Sequence, residues 1–125
     1  MNRSLVFVYG TLKQGGSNHR FLSGQEFVTA ARSVPGYTLY QPADYPGLVA
    51  EAGDTEGVLG EVWSVSPICL AKLDQLEGTH LGLYRRIPLA LADPHGDLKV
   101  ETYLYLRSVS GVPRVGANWT EPRPS

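Results

Sequence analysis

The chain has 125 residues, near the commonest size of one domain and too short for two separate cores. Apolar residues make up 42% and charged residues 18%, which excludes disorder over most of the length, and eleven Lys/Arg against twelve Asp/Glu give a formal charge of −1 with no basic block suited to a phosphate backbone. A single cysteine, Cys69, excludes an internal disulfide and a cysteine-based zinc site, and no apolar stretch approaches the ~20 residues that span a bilayer. The N-terminal apolar run stops too early, at Gly10, for a signal peptide. These bounds predict a soluble, cytoplasmic protein without nucleic-acid or membrane partners, and a monomer is the default for so compact a chain.

In chain order, Leu5-Val6-Phe7-Val8-Tyr9 is a continuous apolar run that suits a strand covered on both faces. It ends at Gly10, and the Gly-rich polar stretch 13–18 reads as a loop whose last residue, Asn18, can cap a short helix carrying Phe21 and Leu22. Residues 27–34 and 37–40 read as strands broken by Pro35-Gly36. After an irregular loop at 42–46, a short strand is predicted over 48–50 and a longer one over 57–65. Ser66-Pro67 is a helix-start signal and Gly78 a stop, so the one good helix is predicted over 67–77. Residues 85–92 and 98–107 alternate and are joined by the turn cluster 93–97, the clearest hairpin of the chain. Beyond Ser110 the sequence is Gly/Pro-rich, which predicts a domain over 1–110 and a tail over 111–125, with Trp119 able to tuck back. Strands dominate without regular βαβ alternation, so the expected class is α+β.

Two places carry chemistry. At Tyr9-Gly10-Thr11-Leu12 a glycine leaves a buried strand, so a ligand can approach the main chain and successive amides can converge on one oxygen; the alternative is that Gly10 merely ends the strand. On the helix, Cys69, Leu70, Leu73 and Leu76 define an apolar arc, and Glu77 falls within it. A carboxylate on a buried stripe at a helix C-terminus has its pKa raised by desolvation and by the macrodipole, into the range useful for proton transfer. The alternatives are that fraying swings Glu77 into water or that Arg85 or Arg86 pairs with it. His19, His80 and His95 share no metal-ligand spacing, Cys69 reads as a buried thiol, and Asp74 reads as solvated. Tyr103 and Tyr105 share one strand face, as core residues or as a pocket wall.

The string Val6-Phe7-Val8-Tyr9-Gly10-Thr11-Leu12-Lys13, followed by Gly15 and Asn18-His19, resembles the N-terminal signature of the γ-glutamylcyclotransferase-like superfamily, closest to its γ-glutamylamine cyclotransferase branch. Leu73-Asp74 with Glu77, then Tyr84 and Arg86, then Tyr103-Leu104-Tyr105, resemble later family segments in the same order. The resemblance implies a small mixed β-barrel-like sheet with a few helices around it and a cavity at one end. It implies a small-molecule γ-glutamyl substrate whose own α-amine closes the 5-oxoproline ring and expels the free amine, with no metal or organic cofactor. By the same carry-over Glu77 is the catalytic acid–base, and Tyr9, Gly10, Thr11, Leu12 and Tyr105 bind substrate. The stretch 42–55 is expected to shape the leaving-group side. Open alternatives are γ-glutamyl amino acids or a specialised metabolite as substrate, or a binding module that performs no catalysis.

Overall fold

A computed structural model describes residues 2–120. Eight strands form one mixed sheet: β1 (Ser4–Val8), β2 (Glu26–Arg32), β3 (Tyr37–Tyr40), β4 (Gly47–Ala50), β5 (Leu59–Val65), β6 (Tyr84–Leu89), β7 (Val100–Tyr105) and β8 (Arg114–Gly116). One helix, α1 (Pro67–Leu76), packs on it, and short 3-10 turns occupy His19–Leu22 and Thr79–Leu81. The α+β expectation holds, and so does the mixed sheet. It curls as a barrel would but is not closed: the strand order runs β2-β5-β1-β7-β4-β3-β8 with β6 on β7, and the isolated bridge Ser33–Leu91 joins the chain after β2 to the chain after β6.

The apolar run of β1 is central because it is paired on both sides, antiparallel to β5 and parallel to β7. Its alternation feeds two cores. Val6 and Val8 pack with Leu22, Trp63, Cys69, Leu73 and Tyr103 beneath α1, while Phe7 packs with Leu39, Leu48, Val62 and Trp119 on the other face. Helix α1 starts where the sequence says it should. Ser66 Oγ accepts from Cys69 N at 3.1 Å, Pro67 takes the first turn, and Gly78 stops the helix in the left-handed region at φ 69°. Cys69 and Leu73 are buried as the apolar arc predicts, but Leu76 is 36% exposed, so the arc narrows toward the helix end.

The central constraint lies along β7. Strand β6 registers with all six residues of β7 on one edge, from Tyr84–Tyr105 to Leu89–Val100. Both parallel partners therefore share the opposite edge, β1 meeting it at Glu101 through Val6 and β4 meeting it at Leu104 through Leu48. β1 must end where β4 begins, and the two strands part at that point.

Two expectations are corrected. Asn18 does not cap the short turn after it; its side chain donates to Thr11 Oγ1 at 3.0 Å instead. The stretch after Ser110 is not a tail as far as residue 120: β8 pairs with β3, Ala117 O accepts from Leu59 N, and Trp119 is 4% exposed in the second core. Short alternation over three residues hides such a strand, and residues 121–125 lie outside the described part. Trp119→Ala should therefore lower unfolding free energy by about 3–5 kcal/mol, read as a shifted denaturant midpoint; a loss below about 1 kcal/mol would show that the segment is dispensable.

Candidate active site

A cavity of about 340 Å³ opens where β1 and β4 part, within the range of small-molecule sites. Its wall is assembled from the turn after β1 (Tyr9, Gly10, Thr11, Leu12), from Ser17 and Asn18, and from the loop before β4 (Asp44, Tyr45, Pro46). The end of α1 adds Leu76 and Glu77, and the sheet adds Leu83, Tyr84 and Tyr103.

Gly10 is needed for a reason different from the expected one. Its φ is not positive, and a Cβ there would stand 2.5 Å from Pro46 Cγ. The close approach is first of all that of the β4 loop, pressed onto Gly10 where the strands diverge. In the turn, Gly10 O accepts from Lys13 N at 3.1 Å and Thr11 O from Asn18 N at 2.9 Å. Among the described residues the amides of Gly10, Thr11 and Leu12 donate to no protein acceptor, which leaves them available to an oxygen in the cavity. The loop is held from outside: Gln14 N donates to Glu61 Oε1 at 3.0 Å and Lys13 Nζ to Trp119 O at 2.8 Å.

Tyr9 bridges the fork. Its hydroxyl donates to Tyr103 O on β7 at 2.8 Å and accepts from Leu48 N on β4 at 3.3 Å. With both bonds made to the main chain, and burial pushing its pKa up, Tyr9 serves as a wall and a tie. Tyr105, expected beside it, is not on the cavity wall. Its ring fills the space over Gly47, where a Cβ would lie 2.7 Å from Tyr105 Cγ, and stands edge-on to Tyr84 at 5.3 Å. Tyr103, two residues earlier, takes the wall position instead.

Glu77 caps α1, its amide donating to Leu73 O at 2.9 Å, and its half-buried carboxyl lies on the cavity wall. Neither fraying nor an arginine diverts it. Arg86 Nη1 donates to both Asp74 oxygens, at 2.8 and 3.0 Å, its Nε lies 3.6 Å from Glu101 Oε2, and Asp74 Oδ1 also accepts from the Tyr103 hydroxyl at 2.7 Å. Asp74 is thus a fixed joint between α1 and the β6–β7 hairpin, not the solvated carboxylate expected. Glu77, three residues on, receives no hydrogen bond or ion pair among the described residues, and desolvation raises its pKa from 4.5 to about 7.

Sequence reasoning missed Tyr84, whose hydroxyl donates to Pro46 O at 2.7 Å and fixes the β4 loop, and Tyr45, tilted on Tyr84 at 6.4 Å. Tyr84 stands just before the predicted strand 85–92, and nothing local signals a partner 38 positions away. Cys69 is buried, and burial pushes its thiol pKa up. His19 binds Leu12 O through Nδ1 at 2.9 Å and sits edge-on to Trp63, a structural use.

Two outcomes follow from this geometry. Gly10→Ala should cost about 1–3 kcal/mol of stability by driving Pro46 off the turn, and a denaturant midpoint unchanged from wild type would refute the contact. Glu77 binds its proton more tightly folded than unfolded, so its contribution to stability is full below pH 4.5 and is lost as pH rises through about 7. Glu77→Gln should accordingly gain roughly 1–3 kcal/mol on wild type between pH 5 and pH 8, after allowance for water in the open cavity. Parallel stability curves at the two pH values would mean an ordinary, solvated carboxylate.

Comparison with known proteins bears on the family and the fold. The family model described as gamma-glutamyl cyclotransferase, AIG2-like, matches residues 6–121. A Vibrio cholerae chain provisionally carrying the gamma-glutamylcyclotransferase name is 44% identical over 82 residues, 66% of this chain and 68% of that one. Gamma-glutamylaminecyclotransferase A of Danio rerio is 37% identical over 112 residues, 82% of this chain and 68% of that one. In fold, the crystal structure of an AIG2-like protein from Mus musculus superposes with a TM-score of 0.81 at 22% identity, over 100% of this chain and 99% of that one. The chain belongs to the γ-glutamylcyclotransferase, AIG2-like family.

Proposed function

We propose that the protein cyclises γ-glutamylamines, releasing 5-oxoproline and the free amine, with Glu77 as the group that moves protons. The observation that carries this reading is an unpaired carboxyl of pKa about 7 on the wall of a cavity that also holds a turn of unspent amides. The zebrafish relative is named for the same substrate class, and the resemblance of Leu73-Asp74 and Glu77 to the family's catalytic segment points to the same carboxyl.

The substrate arrives with its α-amine as an ammonium. Glu77, ionised, takes one proton and frees the nitrogen lone pair. The nitrogen attacks the γ-carbonyl carbon, the new C–N bond closes a five-membered ring, and the carbonyl oxygen becomes an oxyanion. The adduct nitrogen gives up a second proton, and the departing nitrogen gains both as its bond to carbon breaks. It leaves as an ammonium, and no water is consumed. A carboxyl near neutrality can both accept and return these protons. The amides of Gly10, Thr11 and Leu12 suit the oxyanion or the substrate carboxylate. The Tyr9, Tyr84 and Pro46 contacts keep the cavity narrow, which holds the glutamyl chain folded for ring closure.

Turnover by Glu77→Gln should fall by on the order of 10²–10⁴ with γ-glutamyl amides, measured as 5-oxoproline release, while the variant stays folded in a thermal melt. Wild-type kcat/KM should rise with pH through about 7, as the carboxylate form fills. A variant retaining more than roughly a tenth of wild-type turnover would remove Glu77 from the proton-moving role.

A further inference from the structure

We propose that Asp44 makes the enzyme selective for substrates whose departing amine carries a second positive charge away from the scissile amide. The inference rests on the cyclotransferase reading and names its leaving group more closely. The cavity wall carries two ionisable acids, Glu77 and Asp44, and no Lys, Arg or His. Glu77 is half-buried at the end of α1, whereas Asp44 is exposed on the loop before β4, so the two mark the inner and outer parts of the site. If the α-ammonium is deprotonated at Glu77 and the α-carboxylate lies on the free amides of 10–12, the amine portion points away from both, toward the outer part.

There the substrate meets Asp44 beside the ring of Tyr45. Asp44 is close enough to Tyr45 to help raise its pKa, and among the described residues it makes no hydrogen bond or ion pair of its own. A free carboxylate next to an aromatic face attracts an ammonium by charge and by the ring quadrupole. It repels the carboxylate of an amino-acid leaving group by the same rule. Arg107 also acts on Tyr45, with the opposite sign and less strongly than Asp44, and lies outside the wall. The loop is fixed by its backbone, through Pro46 O to Tyr84 and Pro46 against Gly10, so the Asp44 side chain is not needed to hold the cavity's shape.

The test compares three γ-glutamyl amides of similar length, made from cadaverine, hexylamine and aminocaproate. Wild-type kcat/KM should fall in that order, cationic over neutral over anionic, by about threefold to tenfold per step, and added salt should compress the series. Asp44→Asn should collapse the differences. Equal rates for the three amides, or an undiminished preference in Asp44→Asn, would overturn the proposal. If wild type forms no 5-oxoproline from any of them, the cyclotransferase reading fails instead. The charge preference is then read from calorimetric binding of the same compounds to Glu77→Gln: the same order supports it, and equal affinities overturn it.

Discussion

One edge of β7 has to serve two strands. With β6 registered along the whole of the other edge, β1 and β4 divide what is left, one meeting Glu101 and the other Leu104. Two parallel strands cannot occupy the same length of edge, so the chain of β1 must leave the sheet just as β4 enters it. The features of the site follow. The collision of the two ends requires a residue without Cβ, and Gly10 against Pro46 meets it. The ladder bonds lost at the fork are replaced by one phenol, Tyr9, which reaches both β7 and β4. The amides beyond it have left the sheet and donate to no acceptor among the described residues, and the opening between the strands is the cavity. Backbone groups without partners are costly when buried, so they persist here because the opening admits water or a ligand.

The second constraint is a division of labour between two acids one helical turn apart. Asp74 and Glu77 have the same charge and neighbouring positions on α1. Asp74 is held by two donors, Arg86 Nη1 on both oxygens and the Tyr103 hydroxyl on one, and these bonds pin the end of the helix to the hairpin. Glu77 is left to desolvation alone. Had Arg86 reached Glu77 instead, the carboxyl would have been held ionised and would have lost its usefulness near neutrality. The joint at Asp74 therefore does two things for Glu77: it fixes the backbone that carries it, and it occupies the nearby cation.

Much of the frame was legible because it is written in local chemistry. Ser66-Pro67 and Gly78 bound α1 to within a residue, the turn cluster at 93–97 announces the β6–β7 hairpin, and the unbroken run at 5–9 announces a strand covered on both faces. Glu77 stood out because a carboxylate on an apolar stripe breaks a rule that most sequence obeys. What was not legible is contact between distant segments. Asp74 looks solvated in sequence because its partners lie 12 and 29 residues away. Tyr105 and Tyr103 are indistinguishable by periodicity, and the fork decides which of them meets the cavity. The strand β8 is three residues long, too short for alternation to show, and Trp119 is its better signal.

The wall of the cavity is built by two kinds of attachment, and the difference bears on how such a site can be retuned. On the inner side, side chains do the fixing: the Tyr9 phenol ties β7 to β4, and the Asp74 carboxylate ties α1 to both β6 and β7, so replacing either moves several segments. On the outer side the loop before β4 is held through Pro46, by its ring on Gly10 and its carbonyl under Tyr84. Neighbouring Asp44 has no structural duty among the described residues, and the tilted contact of Tyr45 with Tyr84 is its aromatic link to the wall. Charge at position 44 can therefore change without disturbing the fork, the free amides or Glu77. The geometry that moves protons and the surface that meets the leaving group are mechanically separable, although they face one cavity.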